Sequence, residues 1–241
     1  MRADLPASLM TVLLLPLVTA TALCGGLVPR LGEDIDHLFH REPMLVLGSG
    51  GAAATAAFLL ENPEGDAGFM GHGFLDDASM GCHHAFGPAL PAGSVLLWGL
   101  GSLSDASDAE KTGRMLTEGL LITYGITGVL KLGAGRERPD GSGTGSFPSG
   151  HSSGTACAAV VLWDRYGPGA GVPAAALAAF TALSRVQLGR HYPSDVIAGT
   201  AIGISVGLAV VGAHGDAVDS TQVQPALGLQ WSSRRGFGVY F

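Results

Sequence analysis

Six apolar stretches, at about 44–60, 86–103, 115–132, 152–163, 172–183 and 196–213, constrain this chain of 241 residues more than any other feature. The Gly, Pro and charged residues that punctuate them predict helices joined by loops. There is no internal repeat, and the length suits one domain with a sizeable core. Charged residues make up 14% and hydrophobic residues 47%, against roughly 25% charged in an average soluble domain. That balance excludes intrinsic disorder and admits membrane contact. Gly is present 38 times without a collagen period, which reads as tight helix packing and many turns. A bilayer-spanning helix needs about 20 apolar residues, whereas the fourth and fifth stretches run near twelve before Asp164 or Arg185 intervenes. The segment 61–85 carries no Lys or Arg, so the loops show no positive-inside asymmetry. The expectation is an all-α, compact exported helical bundle, with a six-span membrane protein as the alternative.

The ends read differently. Arg2, the apolar run Leu9 to Ala20 and the small residues Ala20 and Ala22 resemble a secretory leader over 1–22, with an uncleaved anchor helix as the alternative. Leu23 directly before Cys24 argues against lipoprotein attachment. The predicted domain runs over 23–215, and the tail 216–241 contains two short strand-like runs around a polar SSRRG turn, read as a short C-terminal β-hairpin or a loose tail. Cys82 and Cys157 read as either one bridge or two separate thiols, with separate thiols favoured. Thirteen Lys and Arg against twenty Asp and Glu leave a net charge of −7. Nucleic acid is thereby excluded as a partner, because phosphate-backbone binding needs a concentrated basic face.

Three clusters between Lys131 and Asp195 carry the chemistry. Ser107 and Glu110 form an S-x-x-E capping box for a helix that continues to Lys131 and stops at Gly133. In KLGAGRERP, the Gly-rich turn brings Lys131 and Arg138 toward one point. In GSFPSGHSSG, Ser149, Gly150 and His151 offer first-turn N–H groups to an anion, the Ser149 hydroxyl adds a donor, and His151 is a candidate general acid. In SRVQLGRHYPSD, Pro193 suits the first position of a helix. Asp195 in that first turn would reach one nitrogen of His191 and leave the other free to attack, with Arg185 nearby. Three cations, a helix N-terminus, a nucleophile with an orienting carboxylate and a proton donor match phosphoryl transfer, in which placement and charge stabilisation do most of the catalysis.

Lys131 to Arg138–Pro139, Pro148–Ser149–Gly150–His151, and Ser184–Arg185 to His191 and Asp195 fill the pattern K-x6-R-P, P-S-G-H, S-R-x5-H-x3-D. In this the chain resembles the type 2 phosphatidic acid phosphatases (PAP2), related to bacterial class A acid phosphatases and vanadium haloperoxidases. The resemblance implies a bundle of about six core helices. It also implies that His191 becomes phosphorylated, that Asp195 holds its ring, and that His151 protonates the leaving alcohol. Lys131, Arg138, Ser149, Gly150 and Arg185 would hold the phosphoryl oxygens, with no metal or other cofactor. Only eight residues separate Pro139 from Pro148, so that loop is too short for a large lid. Another segment must shape the substrate pocket, and 61–85 is the candidate; its His72, Asp76, Asp77, Cys82, His83 and His84 match no standard metal spacing and read as a solvated loop.

The implied function is a metal-independent phosphatase of the cell envelope acting on a phosphate monoester. The ester is either a lipid phosphate at a membrane surface or a soluble one in the periplasm, with an inner-membrane site facing outward as one form of the former. The competing readings are a vanadate-dependent haloperoxidase and a non-catalytic envelope binding or structural protein.

Overall fold

The computed structural model describes residues 27–61, 89–104 and 106–214, and the two strands at 229–232 and 236–239. The leader 1–22, Cys24 and the run from His72 to His84 lie outside the described residues. All six apolar stretches are helices: α2 (Arg41–Leu60), α3 (Ala89–Leu103), α4 (Ser107–Ala134), α5 (Gly150–Tyr166), α6 (Pro168–Gln187) and α7 (Pro193–His214). They are preceded by α1 (Leu27–Leu38), which the apolar pattern did not mark because Arg30, Glu33, Asp34 and Asp36 interrupt it. In the tail, β1 (Leu229–Ser232) pairs antiparallel with β2 (Gly236–Val239), Leu229 opposite Val239, as the strand-like runs predicted.

Two helix boundaries differ from expectation. Ser107 is not a capping residue: α4 begins there, Ala106 is its N-cap, and no side chain caps it. Its stop is Gly135 rather than Gly133. Gly135 sits at φ 53°, in the left-handed region glycine favours, and its N–H donates to the Lys131 carbonyl.

The helix α7 is the hub, packing against α1, α2, α4, α5 and α6, while α3 lies on α4. Around it Met115, Cys157, Val161, Val206 and Val210 form the buried core, and Cys157 is a free thiol. Glycines set the depth of the helix crossings. A Cβ on Gly199 would lie 2.4 Å from the Ser149 carbonyl oxygen, one on Gly203 2.0 Å from that of Ser153, and one on Gly207 2.7 Å from Val160 Cβ. Spaced four apart, these three lie on one face of α7 and let the α5 backbone come into direct contact with it.

Four helices, α2, α4, α6 and α7, are long and apolar enough to cross a membrane. This corrects the reading of the fifth stretch as too short. Arg185 does not end it, because that side chain is buried inside the bundle and the helix runs on to Gln187, a length of 20 residues. Large apolar side chains also face outward, among them Phe58 and Leu60 on α2, Leu96 and Leu100 on α3, Val129 and Leu132 on α4, and Leu183 on α6. Such a surface suits lipid rather than water, and the architecture is that of a membrane-embedded helical bundle.

The crossing predicts a contrast. Gly203→Ala forces a methyl into the Ser153 backbone and should cost about 1–3 kcal/mol or more. Gly128→Ala on α4, where nothing lies within 4 Å, should be neutral or stabilising by up to about 1 kcal/mol. Thermal unfolding of the two variants in detergent measures the difference.

Candidate active site

The α5–α7 crossing places the first turns of two helices side by side. The Ser149 N–H donates to the Asp195 carbonyl oxygen at 2.9 Å, tying the start of α5 to the first turn of α7. Ser149 is the N-cap of α5, and its hydroxyl accepts from the Ser152 N–H at 3.4 Å and from the Ser152 hydroxyl at 2.9 Å. Upstream of α7, the N–H groups of Arg190 and His191 both donate to the Arg185 carbonyl, at 3.1 and 3.2 Å. The loop 188–192 is thus folded back on the end of α6.

His191 is buried, and its Nδ1 lies 2.6 Å from the Ser146 carbonyl oxygen. A carbonyl can only accept, so Nδ1 carries the proton and Nε2 keeps its lone pair. Asp195 was expected to make this contact, but its Oδ2 stands 3.8 Å from Nδ1. Burial, the first cause, holds the His191 imidazole below its ordinary 6.5, opposed by nearby Asp195.

The fully buried Asp195 carboxylate is occupied on both oxygens. Arg136 Nη1 donates to Oδ1 at 2.6 Å, the Tyr192 N–H donates to Oδ2 at 2.8 Å, and the Ser146 hydroxyl also donates to Oδ2. Ser146 therefore links the two residues, offering its hydroxyl to Asp195 and its carbonyl to His191. Arg136 in turn donates through Nη2 to Glu61 at 2.6 Å and through Nη1 to Ser194 at 2.8 Å. Its guanidinium lies 3.9 Å from the Tyr192 ring centre and 5.0 Å from that of Phe58. Glu61 closes the set by accepting the Ser194 N–H at 2.7 Å.

Above this network lies a pocket of about 190 Å³ lined by Lys131, Arg138, Gly150, His151, Arg185, Arg190 and His191. Gly150 and His151 are the first residues of α5, at its positive end. Lys131 Nζ donates to the Gly145 carbonyl at 2.5 Å. Buried Arg185 donates to the Ser184 hydroxyl through Nε at 3.3 Å and Nη2 at 3.2 Å, and Arg190 leans outward to Ser142 at 3.0 Å and Asp140 at 3.3 Å. Such a concentration of cations can hold a tetrahedral anion against the His191 ring. A larger apolar cleft of about 600 Å³ between α2, α5, α6 and α7 has no basic lining residue and is not suited to this chemistry.

Of the predicted set, Lys131, Arg138, Gly150, His151, Arg185 and His191 meet in the pocket, while Ser149 and Asp195 stand behind its wall. The reading of the sequence missed Arg190, Arg136, Ser146 and Glu61. Arg136 and Arg190 sit inside the first and third clusters, and their charge was the available signal. Nothing in the sequence marks Ser146, whose carbonyl serves His191 from 45 residues away. The 61–85 segment enters the description only through Glu61.

Residues 114–219, which contain the whole pocket, match the model of the PAP2 superfamily. The lipid A 1-phosphatase of Porphyromonas gingivalis is 38% identical over 105 residues, 41% of this chain and 24% of that protein. The decaprenylphosphoryl-5-phosphoribose phosphatase of Mycobacterium tuberculosis is 36% identical over 102 residues, 38% of this chain and 55% of that one. The chain thus aligns with between about a quarter and a half of the length of these relatives. A crystal structure described as the first transmembrane PAP2 type phosphatidylglycerolphosphate phosphatase, from Bacillus subtilis, shares the fold at TM-score 0.50 and 22% identity, covering 78% of this chain and 93% of that one. All three motif clusters lie inside the stretch that matches the PAP2 superfamily, and the surrounding helices are arranged as in that fold.

Proposed function

We propose that this protein hydrolyses the phosphate monoester of a lipid at a membrane surface of the cell envelope, through a phosphohistidine and without a metal in the reaction. The observation that carries the reading is His191, held by the Ser146 carbonyl as the Nδ1–H tautomer, beneath a small pocket of cations. The His191 Nε2 lone pair attacks phosphorus, the bond from phosphorus to the ester oxygen breaks, and His151 gives its proton to the departing alcohol. Water then attacks the phosphohistidine and His151 takes up its proton. The N–P bond breaks with its electron pair returning to Nε2, and inorganic phosphate leaves. Lys131, Arg138, Arg185 and Arg190 offset the charge spread over the phosphoryl oxygens, with Gly150 at the helix end allowing close approach. Ser149 and Asp195 act from behind the wall: Ser149 caps α5, and Asp195 fixes Ser146, whose carbonyl sets the His191 ring.

Lipid rather than soluble substrates are supported by the four long apolar helices and the outward apolar side chains. The relatives named for lipid A and for a decaprenyl-linked phosphate point the same way. The pocket then opens on the side of the membrane away from the cytoplasm.

Three outcomes are expected. Phosphate release from a long-chain lipid phosphate should exceed that from a small soluble ester in a side-by-side assay, and His191→Ala should abolish both, a loss of about a thousandfold or more; equal rates on the two esters would remove the lipid assignment. The rate should follow a bell-shaped pH profile. Because the His191 value is lowered, the nucleophile stays neutral into mildly acidic solution and the acid limb should lie below 6.5; the alkaline limb marks loss of the His151 proton. Arg136→Ala leaves the buried Asp195 charge without its cation, a change on the order of 3–5 kcal/mol. It should lower Tm and kcat while KM changes little, since Arg136 does not line the pocket.

A further inference from the structure

At the other end of the bundle, three titratable side chains meet without any part in the phosphate pocket. Asp34 on α1, Glu118 on α4 and His214 at the end of α7 each offer an oxygen or nitrogen, and these atoms all lie within 4.8 Å of one another. Asp34 and Glu118 are completely buried, and His214 Nε2 stands 3.0 Å from Asp34 Oδ1. Among the described residues, none of the four carboxylate oxygens, nor His214 Nε2, has a hydrogen-bond partner of good geometry.

Buried polar atoms are paired in native proteins almost without exception, and a buried carboxylate is costly unless a cation or a donor meets it. Here two carboxylates converge. Arg30 and Arg114 are near enough to act on them electrostatically, yet neither hydrogen-bonds them. A small cation at the centre of the three converging ligand atoms would satisfy them together.

We propose that Asp34, Glu118 and His214 form a divalent transition-metal site that clamps α1 to α4 and α7, remote from the phosphatase pocket. Two carboxylate oxygens and one imidazole nitrogen are a ligand set for Zn²⁺ or a similar borderline ion. Ligands at about 2.0–2.2 Å from zinc stand roughly 3.3–3.5 Å apart, so the longest separation closes by small side-chain shifts. The other imidazole nitrogen, Nδ1, has Glu33 Oε2 at 3.8 Å, too far for a hydrogen bond but a favourable charge beside a metal-bound imidazole. Glu118 precedes Lys131 on α4 by thirteen residues, roughly 20 Å along the helix. The role is structural: α1 is short, and its buried carboxylate would gain a ligand on each of two neighbouring helices.

Zinc is the probe. Full-length protein in detergent, stripped with chelator and then titrated with Zn²⁺, should bind about one ion per chain and unfold at a higher temperature. Glu118→Gln and His214→Ala should each weaken binding by about tenfold or more and lose the thermal shift. On the unmodified protein, X-ray absorption at the zinc edge should show only nitrogen and oxygen neighbours with the outer scattering of a single imidazole. Absence of stoichiometric uptake, undiminished affinity in both variants, or a shell containing sulfur or several imidazoles would each overturn the proposal, the last by placing the ion elsewhere in the chain.

Discussion

The backbone contact between α5 and α7 is the constraint on which the rest depends. Gly199, Gly203 and Gly207 remove side chains from one face of α7, so that α5 carbonyls lie where Cβ atoms would otherwise be. Two helix N-termini are brought side by side as a result, and the Ser149 N–H reaches the Asp195 carbonyl. His151 opens one of these helices and His191 immediately precedes the other. A thicker crossing would separate the two histidines before any question of chemistry arose.

Charge balance behind the pocket follows from that contact. Asp195 is buried at the start of α7, and a buried carboxylate persists as an anion only when its oxygens are satisfied. Arg136, Ser146 and the Tyr192 N–H provide this. Arg136 carries the charge onward to Glu61, at the end of α2, and lies between two aromatic rings. A helix outside the matched family stretch is thereby joined to the site through Glu61, which accepts from both Arg136 and the Ser194 N–H. The same Ser146 that satisfies Asp195 turns its carbonyl to His191, so ring orientation and carboxylate burial are one arrangement.

The two ends of the molecule handle buried charge in opposite ways. At the pocket the charged lining residues are all basic, a set suited to an anion. At Asp34, Glu118 and His214, two buried acids converge on one imidazole, with no hydrogen bond to their oxygens among the described residues. Between them runs a bundle whose outer surface carries large apolar side chains on α2, α3, α4 and α6, which suits lipid rather than water.

Six helices and the three motif clusters were legible in the sequence because each is local: an apolar run between breakers, or a basic residue, a glycine and a histidine within a few positions. All of the pocket lining except Arg190 followed for the same reason, since Lys131, Arg138, Gly150, His151, Arg185 and His191 lie in those clusters. What the tertiary structure alone decided are partnerships between distant residues and the environment of each charge. Ser146 displaces Asp195 as the hydrogen-bond partner of His191 through a backbone carbonyl, a group every residue carries and no sequence pattern reveals. Arg185 appeared to end an apolar stretch, yet its burial lets α6 run on to Gln187. Asp34 is one of the charges that kept α1 out of the apolar pattern, and only the packing of α4 and α7 against it makes that carboxylate buried. Sequence fixes which groups exist and their local order; whether a charge faces water, lipid or another charge depends on helices folded back from far along the chain, and that is a property of packing.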